Sequence, residues 1–134
     1  MYVQQPTGFN DGSGRVCRLR RSLYGLKQAP RIWQQKAANV LKASGFSQLK
    51  NDPNLYVKRN DNGVVILLIW IDDVLSGASL NAAGATILKE LVVVLKEQFK
   101  IRELGLVTKF IGLHVTQDLS SGTITIDQKL YYIM

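Results

Sequence analysis

Two adjacent carboxylates, Asp72 and Asp73, follow eight consecutive apolar residues, Val64 to Ile71, and precede Val74 and Leu75. An apolar run of this length reads as a buried strand, and Asp is among the residues that strands avoid. Two like charges held side by side away from water are costly, so such a pair takes up a proton or recruits a cation. Neighbouring strand residues point to opposite faces. For both acids to serve one site the chain must turn sharply here, which puts the pair at a hairpin tip. Carboxylates there suit a hard divalent cation such as Mg2+, which prefers oxygen ligands. The plain alternative is a solvated turn between two strands.

The elements that must position this tip can be read on either side of it. Asp61-Asn62-Gly63 is a hairpin signal joining a strand over Leu55–Arg59 to the apolar run, and a return strand is expected over about 74–77. Ser79 or Asn81 can cap a helix over 82–98. Its inward face would be Ile87, Leu88, Leu91, Val92 and Leu95, with Gly84 a weakness near its start. Strands are expected over 99–102, 109–115 and 123–126, the last two joined by a turn at 119–122. Asp127 reads as the N-cap of a further helix. Nearer the start, residues 1–14 read as an irregular lead-in and 15–22 as a short strand. Pro30 opens a helix to about Ala43 that buries Trp33, Ala37, Val40 and Leu41 and stops at Gly45. Helices on one face of an antiparallel sheet make an α+β fold.

The chain has 134 residues, 46% hydrophobic and 20% charged, which fits one globular domain and not a disordered segment. No apolar run approaches the roughly 18–20 residues that cross a bilayer, and no signal pattern opens the chain. With its single cysteine, Cys17, this suggests an intracellular, reducing setting. The net charge of +7 is unevenly placed: nine basic residues and no acidic one lie between Gly12 and Asn51. Such a block suits a polyanion, most often nucleic acid. His114, the only histidine, has no second His or Cys near it in sequence and reads as structural.

The run Ser22-Leu23-Tyr24-Gly25-Leu26-Lys27-Gln28-Ala29-Pro30-Arg31, with Trp33 just after, resembles the signature of the reverse transcriptase of copia-type LTR retrotransposons. Asp52-Pro53-Asn54-Leu55-Tyr56, Trp70-Ile71-Asp72-Asp73, Leu104-Gly105 and Phe110-Ile111-Gly112 resemble further blocks of that family, in the same order. The resemblance implies a partial polymerase palm with part of the fingers, residues 1–50 a fingers/palm segment and 51–134 palm. It makes Asp72 and Asp73 ligands of a two-Mg2+ site for nucleotidyl transfer. It places Tyr24, Gly25, Lys27, Pro30 and Arg31 near nucleotide and template, Phe110, Ile111 and Gly112 on the primer strand, and Arg15, Arg18, Arg20 and Arg21 on phosphates. Lys100 and Lys109 compete for the role of proton donor to pyrophosphate. The implied partners are an RNA or DNA template-primer, a dNTP and the rest of a Pol polypeptide.

The family also uses a third aspartate, on a strand expected to precede this chain. The expectation is therefore a fragment that is inactive alone. Two other readings compete: a non-catalytic nucleic-acid-binding remnant or co-opted element protein, and an interface built on an unpaired sheet edge.

Overall fold

A computed structural model describes residues 1–128. They form two units, residues 1–39 and the chain from Val40 onward, with the boundary inside a helix. In the first unit a two-stranded ribbon pairs β1 (Tyr2–Val3) with β2 (Cys17–Arg18), antiparallel, Tyr2 opposite Arg18 and Val3 opposite Cys17. The ribbon corrects two expectations: residues 2–3 are strand, not lead-in, and the strand expected over 15–22 shrinks to two residues. The short partner Tyr2–Val3 offers no ladder for more.

Helix α1 (Ala29–Ala43) starts one residue before Pro30, which sits in the first turn, where its missing N–H costs nothing. It ends in a Schellman motif, Gly45 N–H donating to the Lys42 carbonyl and Phe46 N–H to that of Leu41. Gly45 has φ +83°, which is why a glycine stands there. Ala37, Ala38 and Leu41 are buried, while Trp33 and Val40 are half-buried.

The second unit is built on a four-stranded antiparallel sheet of β3 (Ser47–Gln48), β4 (Leu55–Arg59), β5 (Val64–Trp70) and β6 (Asp73–Ala78), in that order. Strand β5 alternates: Val65, Leu67 and Ile69 are buried, whereas Ile66 and Trp70 on the other face are 49% and 44% exposed. The buried face packs on α2 (Ala82–Gln98) through Ile87, Leu91 and Leu95. Each fully buried Leu or Val contributes about 1.5–3 kcal/mol, so this seam carries most of the unit's cohesion. Tyr56 joins the same face, and burial raises its phenol above the ordinary value. Gln48 donates to its hydroxyl oxygen at 3.2 Å.

The helix spans the expected residues, and of the two candidate caps Asn81 serves: its side chain accepts from Gly84 N–H at 2.8 Å. Gly84 is a requirement rather than a weakness, because a Cβ there would lie 2.3 Å from the Ser79 carbonyl oxygen. Asn81 also donates to the Asn62 carbonyl at 2.7 Å, which fastens the β4–β5 turn to the helix start. Gly63 in that turn is buried against the backbone of residues 83 and 84.

No strand forms over 99–102. Phe99 is the C-cap of α2, its N–H bonding the Leu95 carbonyl, and the chain runs on irregularly to Thr108. Lys100 and Arg102 are exposed and find no partner strand. The strand expected over 109–115 is two: β7 (Lys109–Phe110) and β8 (Leu113–Asp118), hairpin partners across Ile111-Gly112. β9 (Thr123–Asp127) completes a three-stranded antiparallel sheet. Asp127 ends this strand, and the helix it was expected to cap lies outside the described residues.

Candidate active site and basic surface

Strands β5 and β6 are joined by a two-residue loop, Ile71-Asp72, with Trp70 directly opposite Asp73. Ile71 has φ +54°. Two-residue hairpin loops need a positive φ at their first position to match strand twist, which normally selects glycine, Asn or Asp. A β-branched residue there is a conformational outlier. The side chains of a directly paired Trp70 and Asp73 project from one face, the face that α2 does not cover. Asp72 stands in the loop itself, and both carboxylates are exposed. The sharp turn expected from the sequence is present, one residue earlier than the Asp-Asp pair. The cost of burial invoked for the pair does not arise, since water reaches both acids.

A second hairpin repeats the device. Ile111 and Gly112 form the two-residue loop between β7 and β8, with φ +41° and +82°. Among the described residues, Ile71 and Ile111 are the only non-glycine residues with positive φ. Both fall within motifs singled out from the sequence, and both are exposed at hairpin tips. Backbone strain of this kind costs about 1–3 kcal/mol and concentrates at functional sites.

In the first unit Tyr24 and Gly25 are the central residues of a turn closed by Leu26 N–H on the Leu23 carbonyl at 3.3 Å. Gly25 supplies the positive φ of +87° that the third position of such a turn requires. Tyr24 is thereby turned outward, 84% exposed. A second turn, closed by Ala29 N–H on the Leu26 carbonyl at 2.9 Å, carries Lys27 and leads into Pro30 and Arg31 of α1. All five residues are exposed and fall within the eight positions 24–31.

The four arginines divide. Arg15 is held by Asp11 at 2.6 Å and by the Ser13 hydroxyl at 2.9 Å. The Asp11 carboxyl lies well below the usual range, because the Ser13 hydroxyl, the Gln5 amide, the Ser13 N–H and Arg15 all bond its charged form. Arg18, Arg20 and Arg21 are exposed and make no ion pair among the described residues. Tyr2, 66% exposed beside Arg18, was missed by the sequence reading; the signal for it was the β-forming Tyr-Val pair in an apparently irregular lead-in.

Other motifs resolve into fold elements. In the Asp52–Tyr56 block the Asp52 carboxylate accepts from Asn54 N–H at 2.9 Å, and the Asn54 carbonyl from Ile69 N–H at 2.9 Å. Leu104-Gly105 lies in the irregular segment, with φ +78° at Gly105. Lys100 and Lys109 are both exposed, and so is His114 on β8. No cluster of three or more His, Cys, Asp or Glu side chains able to hold a metal occurs among the described residues. Asp72 and Asp73 fit Mg2+ in one respect: the ion is usually held by one or two carboxylates and completes its shell with water and phosphate oxygens. Among the described residues no helix is long and apolar enough to cross a membrane.

Comparison with known proteins adds the family. A family model described as reverse transcriptase (RNA-dependent DNA polymerase) matches residues 1–133. The chain is 31% identical over 134 residues to the retrovirus-related Pol polyprotein from transposon TNT 1-94 of Nicotiana tabacum, covering 98% of this chain and 10% of the relative. It is 34% identical over 128 residues to the Pol polyprotein from transposon RE1 of Arabidopsis thaliana, covering 87% and 8%. It is 32% identical over 133 residues to the transposon Ty5-1 protein YCL074W of Saccharomyces cerevisiae, covering 98% and 42%. The chain thus spans about a tenth of the Pol polyproteins it matches. No solved structure matches it.

Proposed function

Since the chain belongs to the reverse transcriptase (RNA-dependent DNA polymerase) family found in transposon Pol polyproteins, we propose that its β5–β6 hairpin carries two carboxylates of a nucleotidyl-transfer site. The observation behind this is the strained tip, where Ile71 holds a positive φ and Asp72 and Asp73 follow in an exposed turn. Asp72 and Asp73 would hold Mg2+, whose chemistry when bound is to acidify a primer 3′-hydroxyl and neutralise charge on departing pyrophosphate. Trp70 and the uncovered face of the sheet would abut the primer end, and Phe110, Ile111 and Gly112 would hold the primer strand.

Tyr24, Gly25, Lys27, Pro30 and Arg31 would meet nucleotide and template, and Arg18, Arg20 and Arg21 phosphates. Arg15 is a weaker candidate because Asp11 already engages it. In this reading residues 1–50 act as fingers/palm segment and 51–134 as palm. The substrates are an RNA or DNA template-primer and a dNTP, and the remaining Pol polypeptide is the partner.

Two carboxylates hold Mg2+ weakly, so the 134-residue chain by itself should not extend a primer. A longer polypeptide that adds an aspartate-bearing strand should, and Asp72→Asn should then abolish extension while leaving template-primer binding intact. Extension by the 134-residue chain alone would refute the ligand count. Extension by the longer protein that survives Asp72→Asn and Asp73→Asn would refute the site.

The uncompensated arginines favour a second reading, non-catalytic nucleic-acid binding by a remnant or co-opted element protein. It is distinguished by salt-sensitive binding in every context and extension in none.

A further inference from the structure

Tyr2 and Arg18 are directly paired across the β1–β2 ribbon, and a direct cross-strand pair projects from one face with Cβ atoms about 4.5–5.5 Å apart. Both are exposed, Tyr2 at 66%, and Arg18 makes no ion pair among the described residues. The pairing is extended by Leu19 N–H donating to the Met1 carbonyl at 2.9 Å, so the aromatic ring stands on hydrogen-bonded backbone and not on a loose terminus. The opposite face of the ribbon, Val3 and Cys17, is half-buried, which fixes the direction in which Tyr2 and Arg18 point.

From this juxtaposition we propose that Tyr2 and Arg18 form a site for one unpaired nucleotide of a single-stranded nucleic acid. The base stacks on the Tyr2 ring and its phosphate is met by the Arg18 guanidinium. The charge around the pair selects the occupant. Residues 1–35 carry Arg15, Arg18, Arg20, Arg21, Lys27 and Arg31 with Asp11 as the only acidic residue, and Asp11 is already engaged by Arg15. An exposed ring among uncompensated guanidinium groups is the arrangement by which proteins bind single strands without reading sequence. A duplex hides the base faces in its own stack and gains nothing from the ring. The inference rests on the nucleic-acid reading above and refines it: the strand held at the ribbon is the unpaired part of the template.

The test is a fluorescence-anisotropy titration of the 134-residue chain against a labelled oligo-dT, an oligo-rU and a duplex of equal length, at several salt concentrations. Tyr2→Ala should weaken single-strand binding about 5- to 150-fold, the range of one base–aromatic stack. It should leave the salt slope and the duplex affinity unchanged, and Tyr2→Phe should bind like the parent. Arg18→Gln should lower the salt slope by about 0.7, the value for one phosphate of a single strand. Unaltered single-strand affinity in Tyr2→Ala, or an equal loss for the duplex, would overturn the Tyr2 site while leaving the wider reading intact. A parent chain that binds no nucleic acid at low salt would overturn both.

Discussion

The two strained hairpins differ in what stands behind them. The Ile71-Asp72 tip grows from β5, whose Val65, Leu67 and Ile69 are buried against α2. The Ile111-Gly112 tip grows from β8, whose sheet has no buried residue: Ile124 and Ile126 on β9 are 64% and 60% exposed. Their register places them opposite Gln117 and Val115, which are only half-buried, so the apolar residues of that face stay largely open to water. The same local device is thus supported by a packed seam in one place and by a sheet with only half-buried side chains in the other. A strained turn needs a rigid base to hold its shape. The first hairpin carries that base with it, whereas the second depends on whatever covers its apolar face.

The sharpest way to break this comparison is to hollow out the seam. Leu67→Ala should lower unfolding free energy by about 2–5 kcal/mol in urea titrations. Ile126→Ala should change it by less than about 0.5 kcal/mol, as for other exposed positions. Equal losses would mean that the three-stranded sheet is packed after all. Gly84→Ala should cost about 1–3 kcal/mol, because the new methyl meets the Ser79 carbonyl in the joint behind the first hairpin. A thermal melt unchanged from the parent would show that this joint is slack.

Relief of the turns should act the other way. Ile71→Gly and Ile111→Gly should each raise stability by about 1 kcal/mol, the strain removed exceeding the entropy that glycine adds to the unfolded chain. A gain at Ile111 alone would show that packing at the first hairpin already absorbs the strain.

The smallest expected effect is a pH dependence in the second sheet. The Asp118 carboxyl lies well below the usual range because the Ser120 and Ser121 hydroxyls and N–H groups bond its charged form. A depressed folded-state value adds stability that is present above the ordinary value near 3.8 and is lost as pH falls toward the depressed one. Amide exchange at Ser120 and Ser121 should therefore speed up below about pH 4, and Asp118→Asn should remove that response. Exchange independent of pH between 2 and 5 in the parent, after correction for intrinsic rates, would contradict the bonding seen at this turn.

What could be read from the sequence follows the same division. Helix α2 was legible because its apolar spacing and its capping candidates agree, although the choice of Asn81 over Ser79 and the need for Gly84 came only with the structure. The β4–β5–β6 meander was legible because Asp61-Asn62-Gly63 is a strong turn signal and the central strand, uniformly apolar, ends at two acids. The β7–β8 turn was not, since Ile-Gly inside an apolar run looks like continuing strand and only the dihedral angles of Ile111 and Gly112 reveal the bend. The β1–β2 ribbon escaped because two-residue strands leave no periodicity to detect. At the site, the identity of the acids was plain, whereas their exposure depended on which face α2 covers, a tertiary fact. The commitment of Arg15 to Asp11 was likewise invisible until Gln5, Ser13 and Asp11 were seen to close one loop.

The first hairpin is fastened at both ends of its inner strand. Asn81 on the Asn62 carbonyl, Ser79 N–H on the Val64 carbonyl and Val64 N–H on the Ser79 hydroxyl all grip the end where β5 begins. The acids stand at the far end, about 20 Å along a seven-residue strand. At that end Ile69 is buried and its N–H donates to the Asn54 carbonyl at 2.9 Å, so the strand is anchored up to the residue before Trp70. Freedom to move is thereby confined to the tip from Trp70 to Asp73, and the cost of aligning the two carboxylates on any cation would be a local one.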